Sequence, residues 1–97
     1  MPSSNASVAT VNASRYLQQV CKHWSHKFAV EFTPERGRVP FAEDRVCRFE
    51  AGPQALVMHI EAPDDESLTR LQGVVADHVK RFAFREDLGE VAWSRET

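Results

Sequence analysis

Apolar residues recur at helical spacing in two segments of the chain. The first segment starts at Asn12 or Ser14 and runs to about Ser25, with one stripe made of Ala13, Tyr16, Leu17, Val20, Cys21 and Trp24. The second starts at Pro63-Asp64-Asp65-Glu66, where acidic residues suit the positive end of the helix dipole, and runs to about Phe84. We predict an amphipathic helix in each. Gly73 inside the second helix costs about 1 kcal/mol relative to alanine, so we expect it to pack closely against a neighbour.

Between the helices the hydrophobic period changes to two. Alternation over residues 28–32, 39–41, 45–51 and 55–62, with turn residues between them, predicts four strands in an antiparallel meander. Pro40 cannot donate to a ladder, so its strand is expected at an edge. Val91-Ala92-Trp93 is a candidate fifth strand. The order α-β-β-β-β-α-(β) predicts an α+β two-layer sandwich with both helices on one sheet face. The open face would carry Glu31, Val46, Arg48, Glu50, Val57, His59 and Glu61.

The domain organisation follows from length and local composition. A chain of 97 residues can build one hydrophobic core. Residues 1–11 are rich in Ser, Ala, Asn and Thr without periodicity, which predicts a disordered N-terminal arm. Residues 12–97 are predicted to form a single α+β domain.

Charge and composition exclude several classes of function. The net charge is −2 and the pI is about 6.1, which argues against nucleic-acid binding. Residues 1–48 carry seven basic and four acidic side chains, and residues 49–97 carry five and ten. This asymmetry fits either a self-complementary surface or neutralisation within one molecule. The sequence has no membrane-length apolar run, no signal peptide and no CxxC spacing, so we expect a cytoplasmic protein of a bacterial type.

The segment RYLQQVCKHWSHKF is the densest group of candidate ligands. It contains Cys21, His23, Trp24 and His26, and the two histidines are neighbours on one helical flank. Imidazole pairs bind transition metals, which makes His23 and His26 a candidate metal site. His78 would approach His23 if the helices pack side by side. The alternative is that the histidines are surface residues, while Cys21 and Trp24 belong to the core.

A second candidate is the basic hairpin Arg36-Gly37-Arg38, with Arg45 and Arg48 nearby. Guanidinium groups match carboxylates and phosphates bidentately, so these arginines predict an anion site. The alternative is a solvated hairpin balanced by nearby acidic residues. The sequence has no phosphate-binding glycine loop, nucleophile elbow or HExxH motif. Catalysis is therefore not expected, and a nucleophilic Cys21 is the one enzymatic alternative that we retain.

The motifs SRYLQQVCKHWSHKF, RGRVPF, RVCRFEA and VVADHVKRFAFRE, in this order, resemble the bacterial domain of unknown function 2218 family over Ser14 to Trp93. Members of that family are similar to domains found alone in bacteria, and some are joined to, or encoded near, siderophore-interacting, flavin-dependent ferric reductases. The resemblance therefore implies an accessory role in iron acquisition. It assigns no role to the residues that it picks out, which are Cys21, His23, Trp24, His26, Arg36, Gly37, Arg38, Pro40, Phe41, Cys47, His78, Arg81, Phe82, Phe84, Arg85 and Glu86.

The leading hypothesis is a non-catalytic binding or accessory domain of iron or siderophore utilisation. We expect one recognition surface where the flank of His23 and His26 meets the Arg36 and Arg38 hairpin. The full set of expected ligand or partner residues is Cys21, His23, Trp24, His26, Arg36, Arg38, His78 and Arg85. No cofactor is required, and a metal ion at His23 and His26 is the one candidate. Candidate partners are a second copy of the chain and a siderophore-interacting reductase. The alternative is a homodimeric module that uses the open sheet face and binds no ligand.

Overall fold

The computed structural model describes residues 2–83, 86, 88 and 91–95. These residues form an α+β fold with the element order β-α-β-β-β-β-α-β, which confirms the predicted fold class. The elements are β1 (Ser3–Ala9), α1 (Ala13–Trp24), β2 (Glu31–Phe32), β3 (Arg36–Ala42), β4 (Arg45–Ala51), β5 (Ala55–Glu61), α2 (Asp65–Phe82) and β6 (Ser94–Arg95).

The strands form one antiparallel sheet in the order β2-β3-β4-β5-β1-β6. The meander predicted for the middle of the chain is present as β2 to β5, joined by short turns. β3 is the second strand rather than an edge strand. However, β2 pairs only with Gly37 and Arg38, so Pro40 lies where β3 has no neighbour on that side. The missing N–H of Pro40 is therefore tolerated.

The N-terminal segment corrects the sequence-based prediction. Ser3–Ala9 is not a disordered arm: it pairs along its whole length with β5 and also pairs with β6. Its inner positions are Ser4, Ala6 and Val8, which are small side chains that fit beneath the helices. The buried Ser4 hydroxyl donates to the Ser94 carbonyl and accepts from Gln72 Nε2. The sheet consequently has six described strands instead of four or five.

Both helices pack on one face of the sheet, as predicted. The core lies between the layers and contains Leu17 and Val20 of α1, Val75 and Val79 of α2, and the inward side chains of the strands. At the crossing of α1 over β3, a Cβ built on Gly37 would lie 2.5 Å from Cys21 Sγ. Only glycine permits this close approach between the helix and the strand.

The helix boundaries agree closely with the predicted ones. Asn12 and Ser25 flank α1, and Asp64 caps α2 by accepting the Ser67 N–H at 2.7 Å. The predicted end of the second helix at Phe84 lies outside the described residues. Neither described helix has the length and apolar character needed to cross a membrane.

Two local predictions are wrong. Gly73 does not pack against a neighbour, because a Cβ built there meets no atom within 4 Å. The terminal strand is Ser94–Arg95, and the predicted strand residues Val91, Ala92 and Trp93 precede it without strand pairing.

Candidate functional site

The face of the sheet that carries no helix presents a row of polar side chains. Arg38, Arg48, His59 and Asn5 are register partners in succession across β3, β4, β5 and β1. Side chains alternate between the faces of a strand. The side chains of Cys47 and Met58, and the side of Gly37 where a Cβ would be, therefore face the helices. Arg38, Arg48 and His59, each one position later in the same strands, face away from them. The row lies on the open face where the period-two pattern predicted Arg48 and His59.

Two members of the row are held by an acidic residue beside it. Arg48 Nη1 lies 2.8 Å from Glu61 Oε1, and His59 Nε2 lies 3.3 Å from the same oxygen. His59 Nδ1 lies 2.6 Å from Asn5 Oδ1. The hydrogen bond from Arg48, with a further one from His59, lowers the pKa of Glu61. These contacts fix the positions of the Arg48 and His59 side chains.

Arg38 differs from the other arginines of this face. It lies directly opposite Arg48, and like charges in that arrangement repel. Arg48 is neutralised by Glu61, and Arg36 lies 3.9 Å from Glu50. Within the described part of the chain, Arg38 has neither an ion pair nor a side-chain hydrogen bond. Among the described residues, this face therefore places an arginine without an ion pair, Arg38, between its register partners Glu31 and the anchored Arg48.

These side chains surround an open groove of about 630 Å³ across β2 to β5. Its lining includes Arg36, Arg38, Arg48 and His59, and Val57 is the one large hydrophobic side chain of β5 that is exposed there, at 38%. Glu31, Glu50 and the exposed Phe32 also line the groove. Its guanidinium groups and apolar side chains suit an anion that also has a carbon skeleton.

A second cluster lies on the opposite side of the molecule, where α1 meets α2. The rings of His23 and His78 are 5.4 Å apart, which confirms the expected approach of His78 to His23. Trp24 lies 4.8 Å from His78, and Phe82 lies 5.7 Å from His23. Loss of solvation beside the neighbouring rings, followed by the positive charges of His78 and Arg81, lowers the pKa of the exposed His23.

The structure pairs His23 with a different histidine from the predicted one. His26 follows the end of α1, is exposed, and makes no ring contact with His23 among the described residues. His78 takes that place. The described residues contain no group of three or more histidine, cysteine, aspartate or glutamate side chains arranged to hold a metal ion.

The prediction of a single recognition surface, formed by the histidines and the arginine hairpin, is wrong. Gly37 faces Cys21 and Leu17 of α1, so Arg36 and Arg38 on either side of it project from the opposite face of the sheet. The histidines belong to the helix layer. The sheet thus separates the two groups that we expected to meet. Arg85, the remaining predicted site residue, lies outside the described residues.

The two cysteines are free and buried. Burial raises the pKa of Cys21 to about 12 and raises the pKa of Cys47 well above its usual value. A reactive cysteine needs the opposite shift, because the thiolate is the nucleophile. The environment of Cys21 therefore opposes the enzymatic alternative, and Cys21 and Trp24 both pack in the core.

A third polar cluster surrounds Glu86, beyond the end of α2. Its carboxylate accepts hydrogen bonds from the Tyr16 hydroxyl, from Thr10 Oγ1 at 2.9 Å and from Asn12 Nδ2 at 3.3 Å. These donors lower the pKa of Glu86, and the bond to Glu86 raises the pKa of Tyr16. The cluster links the segment after α2 to the start of α1.

Comparison with known families decides the relationship of the chain. Residues 5–94 match the family described as an uncharacterized protein conserved in bacteria, DUF2218. The chain belongs to the DUF2218 family. The match includes most of β1, all of α1 and α2, and every strand between them.

The DUF2218 chain is also similar to a solved structure. The NMR structure of PA4090 from Pseudomonas aeruginosa is 47% identical to it, with a TM-score of 0.81, and the match covers 97% of this chain and 96% of the other. None of the curated proteins matches. The comparisons thus agree on family and fold.

The residue pattern of this DUF2218 chain predicts only part of the open-face row. Arg48 and His59 were on the predicted open face, and the period-two pattern that placed them there was the available signal. Asn5 carried no such signal, because its contact with His59 depends on the pairing of β1 with β5.

Proposed function

We propose that this DUF2218 domain is a non-catalytic binding protein that takes a small carboxylate-bearing ligand on the open face of its sheet. The observation that carries the proposal is the cross-strand arrangement of Arg38 and Arg48, in which Arg38 makes no ion pair within the described part of the chain, although Glu31 of β2 is its register partner on the other side. An anion between the two guanidinium groups would remove their mutual repulsion.

The two arginines supply different parts of such a site. Glu61 holds the Arg48 side chain in place, so little conformational entropy is lost when Arg48 contacts a ligand. Arg38 is exposed and makes no ion pair among the described residues, and it can donate two parallel hydrogen bonds to one carboxylate. His59 and Val57 border the same groove. Val57 provides an apolar contact for the rest of the ligand, whereas both ring nitrogens of His59 already face Asn5 and Glu61.

The finer part of the proposal concerns biological context. We propose that the ligand belongs to iron or siderophore utilisation, on the basis of the resemblance to domains associated with siderophore-interacting reductases. Many oxygen-rich iron chelators carry carboxylates, and hard oxygen anions are what a guanidinium pair recognises. Citrate, a tricarboxylate that chelates iron, is therefore a suitable probe.

Nuclear magnetic resonance titration of the intact chain with citrate tests the site. We expect saturable shifts of amides in β3, β4 and β5, centred on Arg38 and Arg48. Arg38→Gln should weaken binding by about tenfold or more, because loss of a charge-assisted bidentate contact removes on the order of 1.5–3 kcal/mol. Arg38→Lys should recover only part of the affinity, because lysine cannot form the planar fork.

Arg70→Gln is the matched control, because Arg70 is an exposed arginine on α2, far from the open face, in a surface pair with Glu66. It should leave citrate binding unchanged. Equal loss in Arg70→Gln and Arg38→Gln would indicate a general charge effect and would contradict the proposal. Saturation by citrate that is unaffected by Arg38→Gln would contradict it as well.

A second copy of the chain is the other candidate occupant of this face. Arginine and glutamate alternate across it, in the pairs of Arg36 with Glu50 and Arg48 with Glu61, so it has the charge pattern of a self-complementary surface. Light scattering over a range of concentrations separates the two proposals. A dimer that Arg38→Glu dissociates would favour the homodimer, whereas a monomer that still binds citrate would favour the ligand site.

A further inference from the structure

The contact between α1 and α2 brings the imidazoles of His23 and His78 together, on the other side of the sheet from the groove. We propose that His23 and His78 together bind one divalent ion of the late first-row transition metals, with water completing the coordination. This site differs from the predicted one, in which both imidazoles came from a single helix. It is also independent of the carboxylate site, because it lies on the other side of the sheet.

The spacing of the rings supports the proposal. Metal–nitrogen bonds of about 2.0–2.1 Å bring two imidazoles that share one ion to ring separations of roughly 5–6 Å. The observed separation of His23 and His78 is 5.4 Å. The two residues come from different helices whose packing is fixed by the core, so their backbone positions are set before an ion arrives.

The hydrogen bonding of His78 prepares it as a ligand. Its Nδ1 lies 2.8 Å from the Val74 carbonyl oxygen, which can only accept, so Nδ1 carries the proton. In the neutral ring, Nε2 then keeps its lone pair. Metal-binding histidines characteristically donate their other ring N–H to a carbonyl or carboxylate in this way, which fixes the tautomer and the ring orientation.

Aromatic rings define the surroundings of the pair. Trp24 lies 4.8 Å from His78, and Phe82 lies 5.7 Å from His23. These neighbours limit the movement of both imidazoles and reduce water access on one side. His23 remains exposed, so an ion can enter from solvent.

The charges around the site determine which ions it prefers. Arg81 and Lys27 are close enough to His23 to act on it electrostatically, and their positive charge opposes any cation. An ion that binds here must gain enough from imidazole nitrogen to offset this repulsion. Copper(II) stands highest in the affinity order of these metals, nickel(II) and zinc(II) are lower, and iron(II) is lower again. We therefore expect this order at the site.

Trp24 provides the readout, since it contacts His78 directly and bound copper(II) quenches nearby indole fluorescence. Trp93→Phe leaves Trp24 as the one tryptophan of the chain. In that background, copper(II) should quench the fluorescence saturably with one equivalent. His78→Asn keeps a donor for the Val74 carbonyl and removes Nε2, and His23→Gln removes the other ligand. Each should weaken copper binding by about 10- to 100-fold, the range in which losing even a supporting partner of a ligand falls.

His26→Gln is the matched control and should leave copper binding unchanged. Arg38→Gln should also leave it unchanged, which separates failure of this site from failure of the carboxylate site. Quenching that does not saturate, or that is equal in every histidine variant, would overturn the proposal. So would loss on His26→Gln with retention on His78→Asn. Circular dichroism verifies folding, and the exposed position of His23 keeps the test valid if His78→Asn does not fold.

Discussion

At the scale of single residues, Gly37 and Gly73 have opposite relations to their surroundings. Gly73 lies in the interior of α2, is exposed, and has open space where a Cβ would be. Gly73→Ala should therefore raise the free energy of unfolding by up to about 1 kcal/mol, because alanine loses less backbone entropy in a helix. Urea denaturation followed by circular dichroism measures this change as a shift of the midpoint.

Gly37→Ala is the matched comparison and should have the opposite sign. Its Cβ would lie 2.5 Å from Cys21 Sγ and 3.5 Å from Leu17 Cδ2, so the helix or the strand must shift. Overpacking of this kind costs about 1–3 kcal/mol. If Gly73→Ala lowers the urea midpoint, or Gly37→Ala leaves it unchanged, the assignment of these two positions is incorrect.

The helical phase of Gly73, which the sequence already gives, argues against the close packing that we expected for it. At 100° per residue, position 73 is on the side of the helix opposite the stripe of Leu68, Leu71 and Val75. That placement predicts exposure, as observed. His78 lies on the edge of the same stripe, and there the periodicity correctly predicted that it approaches His23. For Gly73 and His78, the position around the helix thus predicts burial better than the type of residue does.

At the scale of elements, β1 marks the limit of local patterns. Its inward residues Ser4, Ala6 and Val8 alternate correctly, but serine and alanine carry little hydrophobic signal and have low strand propensity. The strand is stabilised by its pairing with β5, about fifty residues later in the chain, and by the bonds of Ser4 to Gln72 and Ser94. Such long-range partners cannot be identified from the segment itself. The helices and the meander depend on nearby residues, and they were predictable.

Glu86 connects the segment after α2 to the start of α1, and this connection should make stability depend on pH. The pKa of Glu86 is lowered in the folded state from its usual value of 4.5. Its contribution to the free energy of unfolding is therefore present above pH 4.5 and is lost as the pH falls through the lower folded pKa. The pKa of Tyr16 is raised in the folded state from its usual value of 10.0. Its contribution to the free energy of unfolding is therefore present below pH 10.0 and is lost as the pH rises through the higher folded pKa. We expect the urea midpoint of the wild type to fall at both extremes.

Glu86→Gln should reduce the acidic part of this dependence, because an amide has no proton to gain there. Measuring the urea midpoint against pH for both proteins tests this expectation. Thr69→Val, an exposed substitution on α2, is a suitable control and should leave the pH profile parallel to that of the wild type. If the urea midpoints of the wild type and of Glu86→Gln fall equally as the pH is lowered, this carboxylate has no such role.

At the scale of the whole molecule, the sheet separates two chemically different surfaces. Arg36, Gly37 and Arg38 alternate in β3, and the glycine faces Cys21 while the arginines face away. The sequence predicted a strand over residues 39–41 with the two arginines in the hairpin before it, whereas β3 begins at Arg36 and so places both arginines on one face. The sequence did not predict the relation of that face to His23, because this depends on which side of the sheet α1 crosses. The proposed carboxylate site and the proposed metal site consequently lie on separate surfaces and can be tested separately.

The position of β1 between β5 and β6 makes the N-terminal strand necessary for the whole sheet. Deletion of residues 1–9 would leave β5 with an unpaired edge and would remove the described pairing of β6. An unpaired edge with inward Leu56, Met58 and Ile60 can pair with another chain. We expect the truncated protein to self-associate with increasing concentration, as measured by light scattering, and to lose amide protection in β5. Val11→Ser, at a position that is 78% exposed, should change neither property. A monomeric truncated chain with protected β5 amides would mean that β1 is dispensable and that β2 to β5 with the helices fold without it.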